Sequence, residues 1–349
     1  MSGAVFCLGA ALVFLSGCAG TPPANREQDA ANAASQPLWV NSPEAVYNRN
    51  AYVSGVGSGA SRDQAEKNAF VALASVFRQS LQADQTVLTL YQEVVKNGAA
   101  AGWTENTAVE GAIKTATSMD LVGAEIRDGW SDGKLFYAVA VMEKAGAARV
   151  YTRMIQDNRG IIDTLAALPA AGRDSLDNLA RVQFAAILAE ANKVFAQVLA
   201  VIGAPLPAGM KAPEDFRLEA AAIMKTIPVS VTVQNDRDDR IRSAFTTALS
   251  AAGFRTGDNN ARYQLRVRLS LTEVQLPNQT NKFTRYVVDG NFTDTISGDI
   301  LFPYNNNGRE GHITLPESEN RAVQAAEDKI KGEYPQALQT FLSHLIPQK

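Results

Sequence analysis

Ala51-Tyr52-Val53-Ser54-Gly55-Val56-Gly57, followed by Ser61-Arg62-Asp63-Gln64, decides the fold class. The first stretch reads as a strand running into a glycine turn. The second has the Ser-x-x-Gln spacing of a helix capping box. Behind it Ala65, Ala69, Leu73, Val76 and Phe77 recur at three and four residues, and Leu81 continues the stripe. That is the period of a helix with one buried face, and its alanines let it sit close to a sheet. Further on, Met119 to Ile126 and Leu135 to Val141 flank Trp130-Ser131-Asp132-Gly133-Lys134. An Asp-Gly pair between two apolar runs is a hairpin signal. Strand, helix and hairpin together imply one helix on a mainly antiparallel sheet. Pro37-Leu38-Trp39 opens this unit with an aromatic anchor, and it extends over residues 37–144.

Residues 145–226 read as helical. Leu176, Ala180, Phe184, Ile187, Ala191, Phe195, Val198 and Ile202 form one stripe, with Asp174 or Ser175 at its cap and a break at Ala170 to Arg173. Two such helices joined by a short turn bury their stripes on each other. A third helix covers about residues 213–226. A stripe left exposed would be a partner surface.

Residues 227–349 return to α+β. Val229, Val231 and Val233 alternate as a strand. Asn235 or Asp236 caps a helix carrying Ile241, Phe245 and Leu249, which Gly253 stops. Tyr263, Leu265, Val267, Leu269 and Leu271 alternate with outward Arg266, Arg268 and Ser270. One strand is expected from Phe283 to Phe302, bent near Gly290 or Gly298, then a turn at Asn305-Asn306-Asn307-Gly308. The closing helix, about 317–345, should kink or divide at Pro335. The fold class is therefore α+β: two small α/β sandwich modules joined by a helical hairpin.

The chain has 349 residues, enough for two or three domains. Its 46% hydrophobic and 20% charged content argues against wholesale disorder. A net charge of −3 argues against a nucleic-acid binder. Two histidines, His312 and His344, and two cysteines, Cys7 and Cys18, leave little for zinc clusters, thiol redox chemistry or histidine-based catalysis. No cofactor and no metal site are expected, and the chain is not expected to be an enzyme.

Residues 4–15 form an apolar run of twelve, the length of a signal-peptide core. It ends in Leu15-Ser16-Gly17-Cys18, which resembles the lipobox of bacterial lipoproteins. The resemblance implies a signal peptide over residues 1–17, cleavage before Cys18 and lipidation of that cysteine. In that family's sorting rule Ala19 favours the outer membrane, and a periplasm-facing orientation is expected. Residues 2–3 carry no Lys or Arg, a departure that leaves open a start upstream of Met1. One acyl chain holds a protein marginally, whereas two or more anchor it stably. Residues 18–36 are small, polar and interrupted by Pro22-Pro23, the composition of a flexible tether reaching at most about 60 Å.

Pro37-x-Trp39, Tyr52 to Gly57, Ala65-Glu66-x-x-Ala69 and the stretch from Trp130 to Met142 resemble the twenty-kilodalton lipoprotein (Lpp-twenty) family over about 100 residues. Similar domains occur in flagellum-associated lipoproteins and in flagellar assembly protein T. The resemblance implies an α+β fold and brings no catalytic residues with it. Val229-x-Val231-x-Val233-Gln234-Asn235-Asp236, Ala252-Gly253-Phe254 and Tyr263-x-Leu265-x-Val267-x-Leu269 are similar to the amino-terminal domain of the Tol-Pal propeller protein and to penicillin-binding-protein activator lipoproteins. In those relatives the module binds protein partners.

Together these readings imply a non-enzymatic envelope scaffold or assembly partner, with the flagellar or cell-wall machinery as its protein partner. Trp39, Tyr52 and Trp130 are the candidate contact residues, because Trp and Tyr suit interfaces, although core anchoring explains them too. Gly55-x-Gly57-x-x-Ala60 fits a dinucleotide fingerprint but lacks the acidic residue about twenty positions on; a tight turn explains it as well. Asp236-Arg237-Asp238-Asp239-Arg240 lacks the glycine and terminal Glu of a calcium loop. Asn278-Gln279-Thr280 and Asn291-Phe292-Thr293 match glycosylation sequons by chance. The rival readings are an envelope hydrolase acting on peptidoglycan, whose paired carboxylates would be spatial neighbours only, and a surface adhesin or antigen.

Overall fold

The computed structural model describes residues 36–78, 91, 93, 96, 122–167, 174–258, 260–277 and 280–347. The signal peptide, Cys18, the tether to residue 35, Leu81, residues 119–121, the break at 170–173 and the first two residues of the 278–280 sequon lie outside them.

Gly55, Gly57 and Gly59 sit inside strand β1 (Tyr52–Gly59), not in a turn after it. The reason is the helix that follows. After two short turns of helix, α1 (Leu38–Asn41) and α2 (Pro43–Val46), the chain runs through β1 into α3 (Arg62–Arg78). This helix lies with its backbone directly on the strand. A Cβ on Gly55 would fall 2.2 Å from the Leu73 amide nitrogen, and one on Gly57 2.0 Å from that of Ala69. Glycine on the strand permits that approach, with Ala65 and Ala69 of the helix facing Gly57. The capping box is half formed: Ser61 Oγ accepts from the Gln64 amide at 3.3 Å.

Strands β2 (Ala124–Ser131) and β3 (Phe136–Glu143) form the expected hairpin. Gly133 has φ +87°, and the Asp132 carboxylate accepts from the amides of Lys134 and Leu135 at 2.8 and 2.7 Å. The sheet order is β1-β3-β2, antiparallel throughout. Alternation on the central strand divides the layers. Ala138, Ala140 and Met142 face α3 and the main core, while Val139 and Val141 face α1 and α2.

The chain then enters α4 (Lys144–Ala166), α5 (Leu176–Val201) and α6 (Pro213–Thr226). α5 is buried on nearly every side, not along one stripe. It is apolar and long enough to span a bilayer, yet 67% of that stretch lies inside the protein, between α4 and α6. One polar pair joins the two helices within the core, where Asn158 Nδ2 of α4 donates to Asn192 Oδ1 of α5 at 2.8 Å, whereas the buried Oε1 atoms of Gln183 and Gln197 on α5 have no partner among the described residues. Ser175, rather than Asp174, caps α5, its side chain accepting from the Asn178 amide at 3.2 Å. Ser175 is 5% exposed, so no solvent replaces it. Ser175→Ala is expected to cost about 1 kcal/mol in urea unfolding.

The second sheet has the order β5-β4-β6-β7-β8. Its strands are β4 (Pro228–Gln234), β5 (Arg255–Thr256), β6 (Tyr263–Val274), β7 (Lys282–Asp294) and β8 (Ile300–His312). β4 pairs parallel with β5 and β6, and the rest is antiparallel. Helices α7 (Arg240–Ala251) and α8 (Leu315–Ser343) cover one face. Both sheets belong to an α+β protein with helices layered on mainly antiparallel strands.

Two expectations for this region fail and a third is narrowed. The stretch from Phe283 to Phe302 is two strands, because the chain reverses at residues 295–298 with Gly298 at φ +81°. Asn305 to Gly308 is not a turn but the middle of β8. A Cβ on Gly308 would strike the buried Tyr286 hydroxyl at 2.5 Å and its ring at 2.6 Å, and one on Gly311 the Phe283 ring at 2.6 Å, so these glycines make room for aromatic side chains. Finally, α8 runs undivided through Pro335.

Candidate functional site

The candidate contact residues do converge. Trp39, Tyr47, Val139 and Val141 form a small second core, with Tyr52, Trp130 and Tyr137 half-buried around it. Trp130 lies directly across from Tyr137, their rings 5.4 Å apart. The Tyr47 ring meets Tyr52 edge-on at 5.9 Å, and its hydroxyl donates to Asp128 Oδ2 at 3.4 Å. Burial, then the Asp128 charge, pushes the Tyr47 pKa up. Trp39 itself is only 4% exposed, so it anchors α1 to the sheet. Tyr52 and Trp130 keep a free flank, and the neighbouring Leu38 is 73% exposed. This face can offer aromatic and aliphatic surface, with the Asp128 carboxylate at its edge. Cys18, the lipidation candidate, lies outside the described residues.

The dinucleotide reading of Gly55 and Gly57 meets a physical obstacle. The space above both glycines is filled by the backbone of α3, where a pyrophosphate would have to approach.

A cleft of about 730 Å³ opens between the β4–α7 loop and the start of α8. Of the charged residues that line it, Asp236 and Arg240 are tied to the surrounding helices. Asp236 accepts from the Arg242 amide at 2.8 Å and so caps α7 from a distance. Asp239 pairs with Arg242 at 2.7 Å. Arg240 bridges to α8 through Glu327 at 2.8 Å, Asn320 at 3.0 Å and Gln324. Asn235 and Asp239 hold φ of 67° and 56°, and the Asn235 side chain is fixed on the Leu269 carbonyl. Among the described residues no group of three His, Cys, Asp or Glu could hold a metal ion. The two histidines sit apart: His312 touches Thr314 before α8, and His344 lies beyond its far end against the Thr340 carbonyl.

One feature escaped the sequence reading in part. The second sheet leaves its other face to solvent, and that face is basic. Arg266 and Arg268 of β6 point there as expected, but Arg285 of β7 and Arg309 of β8 join them. The signal was present in the alternation of Thr284, Tyr286 and Val288 with Arg285. Merging β7 and β8 into one bent strand hid it.

No family model matches the chain, so the twenty-kilodalton lipoprotein resemblance rests on its quoted residues alone. No curated protein matches it either. Among solved structures it is similar to the secreted protein HP1454 from Helicobacter pylori, at 14% identity, over 82% of this chain and 98% of that one, with a TM-score of 0.42. It is also similar to a minor lipoprotein from Acinetobacter baumannii, at 16% identity over 34% of this chain and 92% of that one, TM-score 0.25. The rare lipoprotein B of Shewanella oneidensis follows at 14% identity, over 33% of this chain and 94% of that one, TM-score 0.23.

Proposed function

We propose that the chain is a lipid-anchored protein of a bacterial envelope that works as a non-enzymatic scaffold or assembly partner. The observation that carries this reading is Leu15-Ser16-Gly17-Cys18 directly behind the apolar run of residues 4–15. The tether then enters the folded part at Pro37, beside the aromatic face of Trp39, Tyr52 and Trp130. Acylated at Cys18, the protein stands at the outer membrane on the periplasmic side and reaches up to about 60 Å from it. Its partner belongs to an envelope machine, of which the flagellar apparatus is the first choice through the first domain's resemblance.

Cys18→Ser tests the anchor. The parent should incorporate labelled palmitate, be cut to a chain beginning at residue 18 and fractionate with outer membranes. The variant should lose the label completely and stay uncut. An unlabelled, uncut parent would overturn the reading.

A further inference from the structure

We infer that the open face of the second sheet is a docking surface for a protein partner whose contact region is rich in Asp and Glu. The inference deepens the scaffold reading and rests on it. β6, β7 and β8 run 12, 13 and 13 residues, and one face of each is packed under α7 and α8. On the opposite face Arg266, Arg268, Arg285 and Arg309 are exposed, with Asp289 as the acid among them.

The pairing is unusual in energy terms. Arg285 and Arg309 stand directly opposite each other across β7 and β8. Like charges in that position destabilise a sheet. Among the described residues none of the four arginines reaches a carboxylate. Arg266 and Arg268 bond to Gln264 and Gln234, Arg309 lies over the Phe283 ring at 5.5 Å, and Asp289 accepts from Asn305 at 2.9 Å. A chain with net charge −3 thus concentrates a surplus of positive charge on this open face, where Asp289, opposite Arg268, offsets one of the four arginines.

The cations are all arginine, with no lysine on this face. Arginine offers a planar fork that pairs carboxylates bidentately, loses less water than an ammonium, and is enriched at protein interfaces where lysine is depleted. Between the arginines stand Asn291, Asn305 and Asn307, which add donors and acceptors, and the apolar Phe283 and Val287 of this face are half-buried, the first beneath Arg309, so neither projects as an apolar wedge. A bilayer-binding face carries such wedges beside its cations. The surface therefore fits an acidic protein flank rather than a membrane.

The test uses the full-length chain in a neutral detergent with labelled poly-L-glutamate at low salt. Saturable binding is expected. Arg285→Gln/Arg309→Gln should weaken it tenfold or more. Arg149→Gln/Arg153→Gln, which removes the same charge from exposed sites on α4, should change it less than twofold. Because the first variant relieves a like-charge pair, its Tm should hold or rise by about 1–2 °C, so lost binding cannot be lost folding. Equal binding by parent and face variant overturns the proposal. So does stronger binding of the parent to phosphatidylglycerol vesicles or to single-stranded DNA than to poly-L-glutamate. Acylation at Cys18 does not enter this measurement, so the docking surface and the anchor fail separately.

Discussion

Gly57→Val should detach α3 from the first sheet. The added Cβ would stand 2.0 Å from the Ala69 nitrogen, 2.4 Å from the Asn68 carbonyl carbon and 2.5 Å from the Ala65 oxygen. All three are backbone atoms, so no rotamer change relieves the clash. The helix must retreat as a body, and Ala65, Ala69, Leu73 and Phe77, each no more than 1% exposed, lose their packing against Ala138, Ala140 and Met142. Overpacking that side chains can absorb costs about 1–3 kcal/mol. Here a whole helix–sheet interface opens, so about 4 kcal/mol or more is expected. Urea unfolding followed by circular dichroism, with limited trypsin digestion across residues 61–78, measures it. Ser58→Val is the control: the same strand, one residue on, with its side chain exposed. It should shift stability by less than about 0.5 kcal/mol. Parent-like stability in Gly57→Val would show that the strand and helix are not in backbone contact.

The same glycines show what a sequence does and does not reveal. Periodicity made α3, the β2–β3 hairpin, α5 and the β4–α7 unit legible, because each carries its own local signal: a cap, an Asp-Gly turn or a 3.6-residue stripe. Glycine is ambiguous where those signals end. In Gly55 and Gly57 it serves close approach inside a strand. In Gly308 and Gly311 it clears space for Tyr286 and Phe283 on the neighbouring strand, a reason that lies 22 and 28 positions away in the chain. Only the turn glycines, such as Gly133 and Gly298, carry the positive φ that local reading assumes. Pro335 misleads for a related reason: α8 is held along its length by buried Ile330, Tyr334, Leu338 and Leu342, and tertiary packing overrides a local breaker. The candidate contact residues were recoverable as a set, but not their division. Trp39 is core and Trp130 half-exposed because β1–β3 alternation and the turn at α1 act together, and neither is visible at single positions.

Arg262→Met should loosen the joint between the helical layer and the second sheet. Arg262, just before β6, clasps Asp294 at the end of β7 with contacts of 2.6 to 3.0 Å. Its guanidinium also lies 5.1 Å over the Tyr263 ring, whose hydroxyl accepts from the Leu176 amide at 2.9 Å. One clasp thus holds both the sheet corner and the first turn of α5. Asp294 has a side chain only 8% exposed, whereas Arg262 keeps 35%. Breaking a fully buried pair costs about 3–5 kcal/mol, because a charge is stranded; with the arginine partly in water, about 2–3 kcal/mol is expected. The pH dependence supplies a second readout. Burial works to raise the Asp294 pKa, but hydrogen bonds from Arg262 and the Ile296 amide, with the Arg262 charge, hold it below the ordinary carboxylate value. A depressed pKa stabilises the fold above the unfolded carboxylate pKa, and that share is lost as pH falls through the folded value. Without Arg262, burial prevails and the carboxyl pKa moves up, which reverses the sign. Parent and Arg262→Met should therefore differ most near pH 7 and converge as pH falls toward 3. Arg262→Met/Asp294→Asn removes the stranded charge and should recover most of the loss, flattening the profile. A penalty that is constant from pH 7 to pH 3 would mean that Arg262 contributes packing alone, and that the carboxylate of Asp294 is held by its backbone donors.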